Sequence, residues 1–249
     1  MDDTLMACAF ENNIEAVALV LRILMERDDL TVKSVTVQKW YTNPLGHSVR
    51  FDVEAEDTNG KPYDIEVQRA SEGANPQRAR YHSSMLDTRL LAKGEDYPAL
   101  KDSYVIFITE KDVLNKGCSL YHIERTVKES GQSFGDGSHI IYVNGAYEDD
   151  KDPVGRLMHD FRCVKADDMN YPILAERVRY LKEEEGGQVT MCQAIEELNK
   201  KAAEKAAHET AIKVTYRLLE LGILTDEKIA EMCGLTMEEI KALNTLRSA

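Results

Sequence analysis

The chain is poor in cysteine, tryptophan and proline: its 249 residues hold five cysteines, one tryptophan and six prolines. The cysteines (Cys8, Cys118, Cys163, Cys192 and Cys233) are scattered, odd in number and form no Cys-x-x-Cys pair. That argues against a disulfide framework or a structural zinc site and fits reduced thiols, so a cytoplasmic setting is expected. No apolar run approaches the roughly 20 residues that span a bilayer, and no membrane partner is expected. The opening MDDTLMACAFENN has no basic n-region, so no secretory leader is expected there. Positive charge is scarce as well. Lys and Arg number 31 against 44 Asp and Glu, a net charge of −13. This weighs against indiscriminate binding to nucleic acid, whose phosphates are met mainly by Lys and Arg. An enzyme that meets DNA through a local patch and bound cations remains compatible with it. A Gly-rich phosphate loop and a nucleophile elbow are also missing. His82, His122 and His159 have no ordered triad partner and read as structural or exposed.

With 43% hydrophobic and 30% charged residues, the composition is that of a soluble globular protein large enough to bury a core. The spacing of Leu5, Ala9, Ile14, Val17, Leu21 and Leu24 predicts a helix over about 4–26, with a possible break at ENN. LTVKSVTVQKW alternates like a strand. SVRFDVEAEDTNGKPYDIEVQRA then reads as a hairpin turning at DTNG. NPQRARYHSSMLDTRLLAKG is a predicted helix, stopped by Gly94 with Lys93 in its last turn. SYVIFITE is apolar throughout, as a strand buried on both faces would be. CSLYHIERTV and HIIYVNGAY are two further strands. The order describes a mixed α/β core over 1–150. Residues 151–249 read as a helical extension ending in two short helices, capped at Thr225 and Thr236 and separated by Gly234.

The hairpin carries the chemistry. Asp52, Glu54, Asp64 and Glu66 alternate with Phe51, Val53, Ala55, Tyr63, Ile65 and Val67. A three-residue turn, Thr58-Asn59-Gly60, with Gly60 left-handed puts every apolar side chain on one face. It sets Glu54 opposite Asp64 and Asp52 opposite Glu66, with Cβ atoms about 4.5–5.5 Å apart. Like charges paired in this way destabilise a sheet. Either the face is solvated and screened, or a cation sits between the carboxylates. Hard oxygen ligands of this kind suit Mg²⁺ or Mn²⁺, and Gln68 falls on the same face.

RFDVEAEDTNGKPYDIEVQ resembles the core motif of the PD-(D/E)XK nuclease superfamily. More narrowly it is similar to the Rpn-type recombination-promoting nucleases, known as PD-(D/E)XK nuclease family transposases. Their pattern of a basic residue, an apolar residue and Asp, a Gly-containing turn, then Glu-apolar-Gln is met by Arg50, Asp52, Gly60, Glu66 and Gln68. The elements that follow, to about Ala146, keep that family's order. The resemblance implies a restriction-endonuclease-like mixed sheet flanked by helices. It implies metal-binding carboxylates at Asp52 and Glu66, with Gln68 completing the catalytic set in place of the superfamily's lysine. Because Gln supplies neither a positive charge nor a proton, activity would lean more heavily on the metal.

Glu54 and Asp64 are candidates for extending the metal site or orienting its ligands. Glu11 or Glu15 could supply an acid from the first helix, against the plainer reading of an exposed helix acid. Arg78, Arg80 and Tyr81 open the helix after the motif, where arginines could hold phosphates or neutralise the acidic hairpin. The final helix pair has the length of a DNA-reading helix-turn-helix, but MEEIKALNTL is acidic where such helices meet bases. Packing or homo-oligomerisation suits it better. The expectation is a Mg²⁺-dependent (or Mn²⁺-dependent) DNA endonuclease linked to recombination or transposon-like mobility. The alternatives are a catalytically silent DNA-binding or scaffold protein on the same fold, and a metal-binding hairpin in an unrelated α/β protein.

Overall fold

Two asparagines break the first predicted helix. Asn12 takes a left-handed φ of 55°, and the Asn13 side chain accepts the Ala16 N–H, capping the next segment. The computed structural model describes residues 3–41, 48–68, 71–92 and 94–247. Its first helices are α1 (Asp3–Phe10) and α2 (Ile14–Leu24). Three strands follow: β1 (Val32–Tyr41), β2 (Val49–Asp57) and β3 (Pro62–Gln68). A 3-10 turn at Ser71–Ala74 leads into α3 (Pro76–Leu90), started by Asn75 accepting the Arg78 N–H and by Pro76. α3 ends earlier than predicted. Leu91 is already extended at φ −109°, so Gly94 (φ 97°) serves the turn beyond; Lys93 lies outside the described residues. The core then adds β4 (Ser103–Thr109), β5 (Leu120–Ile123) and β6 (Ser138–Asn144).

The described strands form one mixed sheet in the order β1-β2-β3-β4-β6-β5. β1, β2 and β3 are antiparallel, β3, β4 and β6 run parallel, and β5 returns antiparallel to β6. With helices on both faces this is the restriction-endonuclease-like α/β architecture. In β4 the two faces alternate cleanly. Ile106 and Ile108 pack with α1 and α2, whereas Val105 and Phe107 pack with Ala79, Met85 and Leu86 of α3.

The hairpin turn has the expected three residues. Asp57 and Lys61 pair through their backbones, Gly60 has φ 74°, and the Asp57 carboxylate accepts the N–H groups of Asn59 and Lys61. The register is the expected one, with Val53 opposite Ile65 and Glu54 opposite Asp64. One expectation fails. Phe51 does not share a face with Val53 and Ala55; it packs with Val49 and Tyr41 on the α3 face. The switch lies at Asp52. Opposite it, between the pairs Val37–Val53 and Lys39–Phe51, Gln38 holds a left-handed φ of 52°. Both strands kink at that rung, and the two-residue period starts again on the other face.

Beyond β6 come α4 (Pro153–Arg162), α5 (Pro172–Glu183), α6 (Glu185–Leu221), α7 (Asp226–Cys233) and α8 (Met237–Arg247). The chain forms two compact units, the first comprising residues up to 41 and 49–191, the second built on 192–247. The first thus runs past residue 150. Val154, Leu157, Met158 and Phe161 of α4 and Leu174 of α5 bury themselves against the α1/α2 face. Asp160, fully buried, fixes the turn after α4 by accepting the N–H groups of Asn170 and Tyr171. In the second unit Leu219, Ile229, Leu235, Ile240 and Leu243 form a core. Gly234 is left-handed at φ 65°. Thr236 and Glu239 make a reciprocal capping box at the start of α8.

Candidate functional site

The ladder between β2 and β3 is drawn from Val53–Ile65 toward the turn, and past it side chains take over the bonding. The Glu66 Oε1 atom accepts the Asp52 N–H at 2.9 Å, and the Asp52 Oδ2 atom accepts the Val67 N–H at 3.1 Å. Each carboxylate therefore holds the other strand's backbone. Asp52 keeps 18% of its side chain exposed, while Glu66 and Asp64 are fully buried. Of the two readings open from the sequence, a wholly solvated face is excluded: Asp64 and Glu66 lie buried beneath α3.

Three cationic or polar groups answer this buried charge. Arg78 donates from Nη2 to Glu66 Oε2 at 3.2 Å, and Gln68 Nε2 donates to the same oxygen at 3.4 Å. His82 Nδ1 lies 3.0 Å from Asp64 Oδ2 and 3.8 Å from Glu66 Oε1. Arg78 Nε also points at His82 Nε2, 3.4 Å away. A guanidinium only donates, so Nε2 accepts and the ring proton sits on Nδ1, facing Asp64. Phe51 stacks on the other side of the imidazole at 5.3 Å. Burial, reinforced by the neighbouring carboxylates, pushes Asp64 and Glu66 well above the usual carboxylate range. The Asp64 Oδ1 atom is buried with no hydrogen-bond partner.

The remaining sequence candidates separate. Glu54 turns toward β1, where Lys39 meets it at 2.7 Å and the Tyr41 hydroxyl donates to it. Burial and that carboxylate push the Tyr41 hydroxyl up to about 12, so it is a neutral donor. Gln68 is wedged against the 3-10 turn: a Cβ at Gly73 would run into its side-chain oxygen. Beside Gln68, at the carboxyl ends of β3 and β4, a cleft of about 410 Å³ opens between Thr109, Glu110 and Arg162. Parallel sheets usually offer their ligand crevice at that end. Arg80 is exposed, and Tyr81 is half-buried against the α3-side core. Glu15 is mostly exposed, 4.0 Å from Arg22, and Glu11 sits at the α1–α2 corner. Arg69, between Gln68 and the 3-10 turn, lies outside the described residues.

His82 is the residue that sequence reasoning passed over. Its signal was available: it follows Arg78 by one helical turn and shares the buried stripe of Ala79, Ser83 and Leu86. Asp64, Glu66 and His82 offer ligand atoms within 4.8 Å of one another. The His159–Asp160–Cys163 group is similarly close, but Asp160 is already committed to the turn after α4.

No curated protein and no solved structure matches the chain. A family model described as PD-(D/E)XK nuclease family transposase does, over residues 11–147. That stretch runs from the α1–α2 corner to just beyond β6, and it contains the whole carboxylate cluster with α3 above it. With more than half its length matched, the chain belongs to the PD-(D/E)XK nuclease family transposases.

Proposed function

We propose that the protein is a divalent-metal-dependent DNA endonuclease linked to recombination or transposon-like mobility, with Asp52, Glu66 and Gln68 as its catalytic set. The family supports phosphodiester chemistry, and its members typically use divalent metals. The observation that carries the reading is the reciprocal lock between Asp52 and Glu66. Two carboxylates are held together at a break in the sheet, although their mutual repulsion opposes it. The donor set fits Mg²⁺ or Mn²⁺: hard oxygens from Asp52 and Glu66, with an Asp64 oxygen that has no hydrogen-bond partner in the same buried cluster. An ion bound there would supply an acidified water and neutralise charge on the phosphate.

The protein groups have separable tasks. Asp52 and Glu66 present oxygens from opposite strands, and their backbone bonds fix both carboxylates without a flexible loop. Gln68 accepts or donates through a neutral amide, so it orients a water or phosphate oxygen and moves no proton. Arg78 and His82 hold Glu66 and Asp64 from α3, acting as positioning residues. Arg80 offers a DNA contact on the exposed side of the same helix, and Tyr81, half-buried against the core, a second beside it.

Purified protein should nick supercoiled plasmid with Mg²⁺ or Mn²⁺, and Asp52→Ala and Glu66→Ala should each abolish nicking. Variants that cut as well as the parent would end this reading. One observation favours a second: the Arg78 guanidinium already sits on Glu66, as it could in a catalytically silent DNA-binding protein. Calorimetric titration with Mn²⁺ separates the two. Binding that disappears in Asp52→Asn supports the nuclease, and no binding at all supports the silent protein.

A further inference from the structure

We propose that Trp40 and Arg50 form a docking point for an unpaired DNA strand, so that the preferred substrate is DNA with single-stranded character. The inference rests on the nuclease reading for its meaning, although its test does not use hydrolysis.

Trp40 is the chain's one tryptophan, and it stands 36% exposed on β1, the strand at one end of the sheet. Its partner across the ladder is Arg50, whose guanidinium lies 5.6 Å from the ring centroid. The same guanidinium is 4.0 Å from Asp52 Oδ1. One arginine thus touches both an exposed aromatic surface and the candidate catalytic carboxylate. A phosphate bound by Arg50 would lie next to Asp52, with the adjoining base at the indole.

The kink explains the placement. Past Gln38 and Asp52 the strand faces exchange, so Tyr41 and Phe51 turn into the α3-side core, while Trp40 and Arg50 face the other way. Charge complementarity then selects the occupant. In a chain of net charge −13 a paired aromatic and arginine suit a polyanion with stackable faces. Intact duplex hides its base faces inside the stack, whereas an unpaired strand offers them to aromatic and guanidinium planes.

The lone tryptophan makes the test direct. In EDTA, so that nothing is cut, oligo-dT should quench the intrinsic fluorescence saturably, and a blunt hairpin duplex of equal length should bind more weakly. By anisotropy of labelled oligo-dT, Trp40→Ala and Arg50→Ala should each weaken binding on the order of tenfold, with Trp40→Phe close to the parent. The Phe variant guards against a folding defect in the alanine one. The proposal is overturned if duplex binds as tightly without quenching, or if Trp40→Ala leaves oligo-dT affinity unchanged. It is equally overturned if quenching follows protein concentration alone, which would assign the patch to a second copy of the chain. Loss of oligonucleotide binding would leave metal-dependent nicking intact as a reading, and loss of nicking would leave the docking point intact.

Discussion

Asp64 is a carboxyl enclosed by protein, with one oxygen on His82 and the other on nothing. Its raised pKa has a sign that can be measured. The folded state holds its proton above the ordinary carboxylate range, where the unfolded chain has lost it. Between that range and the raised value the folded state binds more protons, and stability falls as pH rises. Glu66 acts in the same direction. Asp64→Asn keeps an acceptor for His82 and removes the charge. It should raise Tm at pH 8 by a few degrees, about 2–4 °C per kcal/mol for a chain of this size, and flatten the pH slope. A lowered Tm with an unchanged slope would contradict this. Gly73 sets up a second test. Gly73→Ala pushes into the Gln68 amide, so it should cut nicking by roughly tenfold to a hundredfold, as small displacements at reacting groups do, while thermal stability holds. Normal cutting by that variant would remove Gln68 from the site. The carboxylates and Gln68 were legible as residue types at fixed spacing. His82 was not, because a lone histidine on an apolar helix stripe usually does no more than pack, and only the docking of α3 on β3 brings it to Asp64. From the sequence Arg78 reads, like Arg80, as a phosphate contact, and helical phase does not say that its guanidinium reaches Glu66.

The β2–β3 hairpin was legible because its turn has local chemistry: Asp57, Asn59 and Gly60 fix loop length, and loop length fixes register. The face switch at Asp52 was not. Phe51, Val53 and Ala55 read as one uninterrupted alternation, and nothing in the sequence marks Gln38 as left-handed. That conformation is an element-level feature imposed by pairing with β2. A side chain branched at Cβ fits it badly, so Gln38→Val should cost about 1–2 kcal/mol in urea unfolding and Gln38→Gly little or nothing. Equal effects of the two would mean that the kink does not depend on this residue. In the second unit Thr236 caps α8, and Thr236→Ala should remove about 1 kcal/mol from that unit's stability. α3 shows the limit of stop signals: Gly94 marked a turn correctly, but the helix had already ended at Leu90.

As a whole molecule the protein joins an α/β unit to a helical one through α6, which begins in the first and continues into the second. The last described strand ends at Asn144, and apolar residues of α4 and α5 pack in the α1/α2-side core of the sheet. We expect a chain ending at Met191 to fold as the α/β unit and to keep oligo-dT binding. The proposal that the C-terminal helices self-associate also belongs at this scale. Val214, Leu221, Ile223 and Met232 are exposed there. Sedimentation should then find a dimer for the full chain and a monomer for the shortened one; a monomeric full chain would dismiss it. The lock at the sheet break has a spectroscopic consequence. The amide protons of Asp52 and Val67 are held by carboxylate oxygens instead of by carbonyls of a ladder. Their exchange with solvent deuterium therefore tracks the order and occupancy of two acidic side chains, giving two backbone resonances that report on the site without any substrate being turned over.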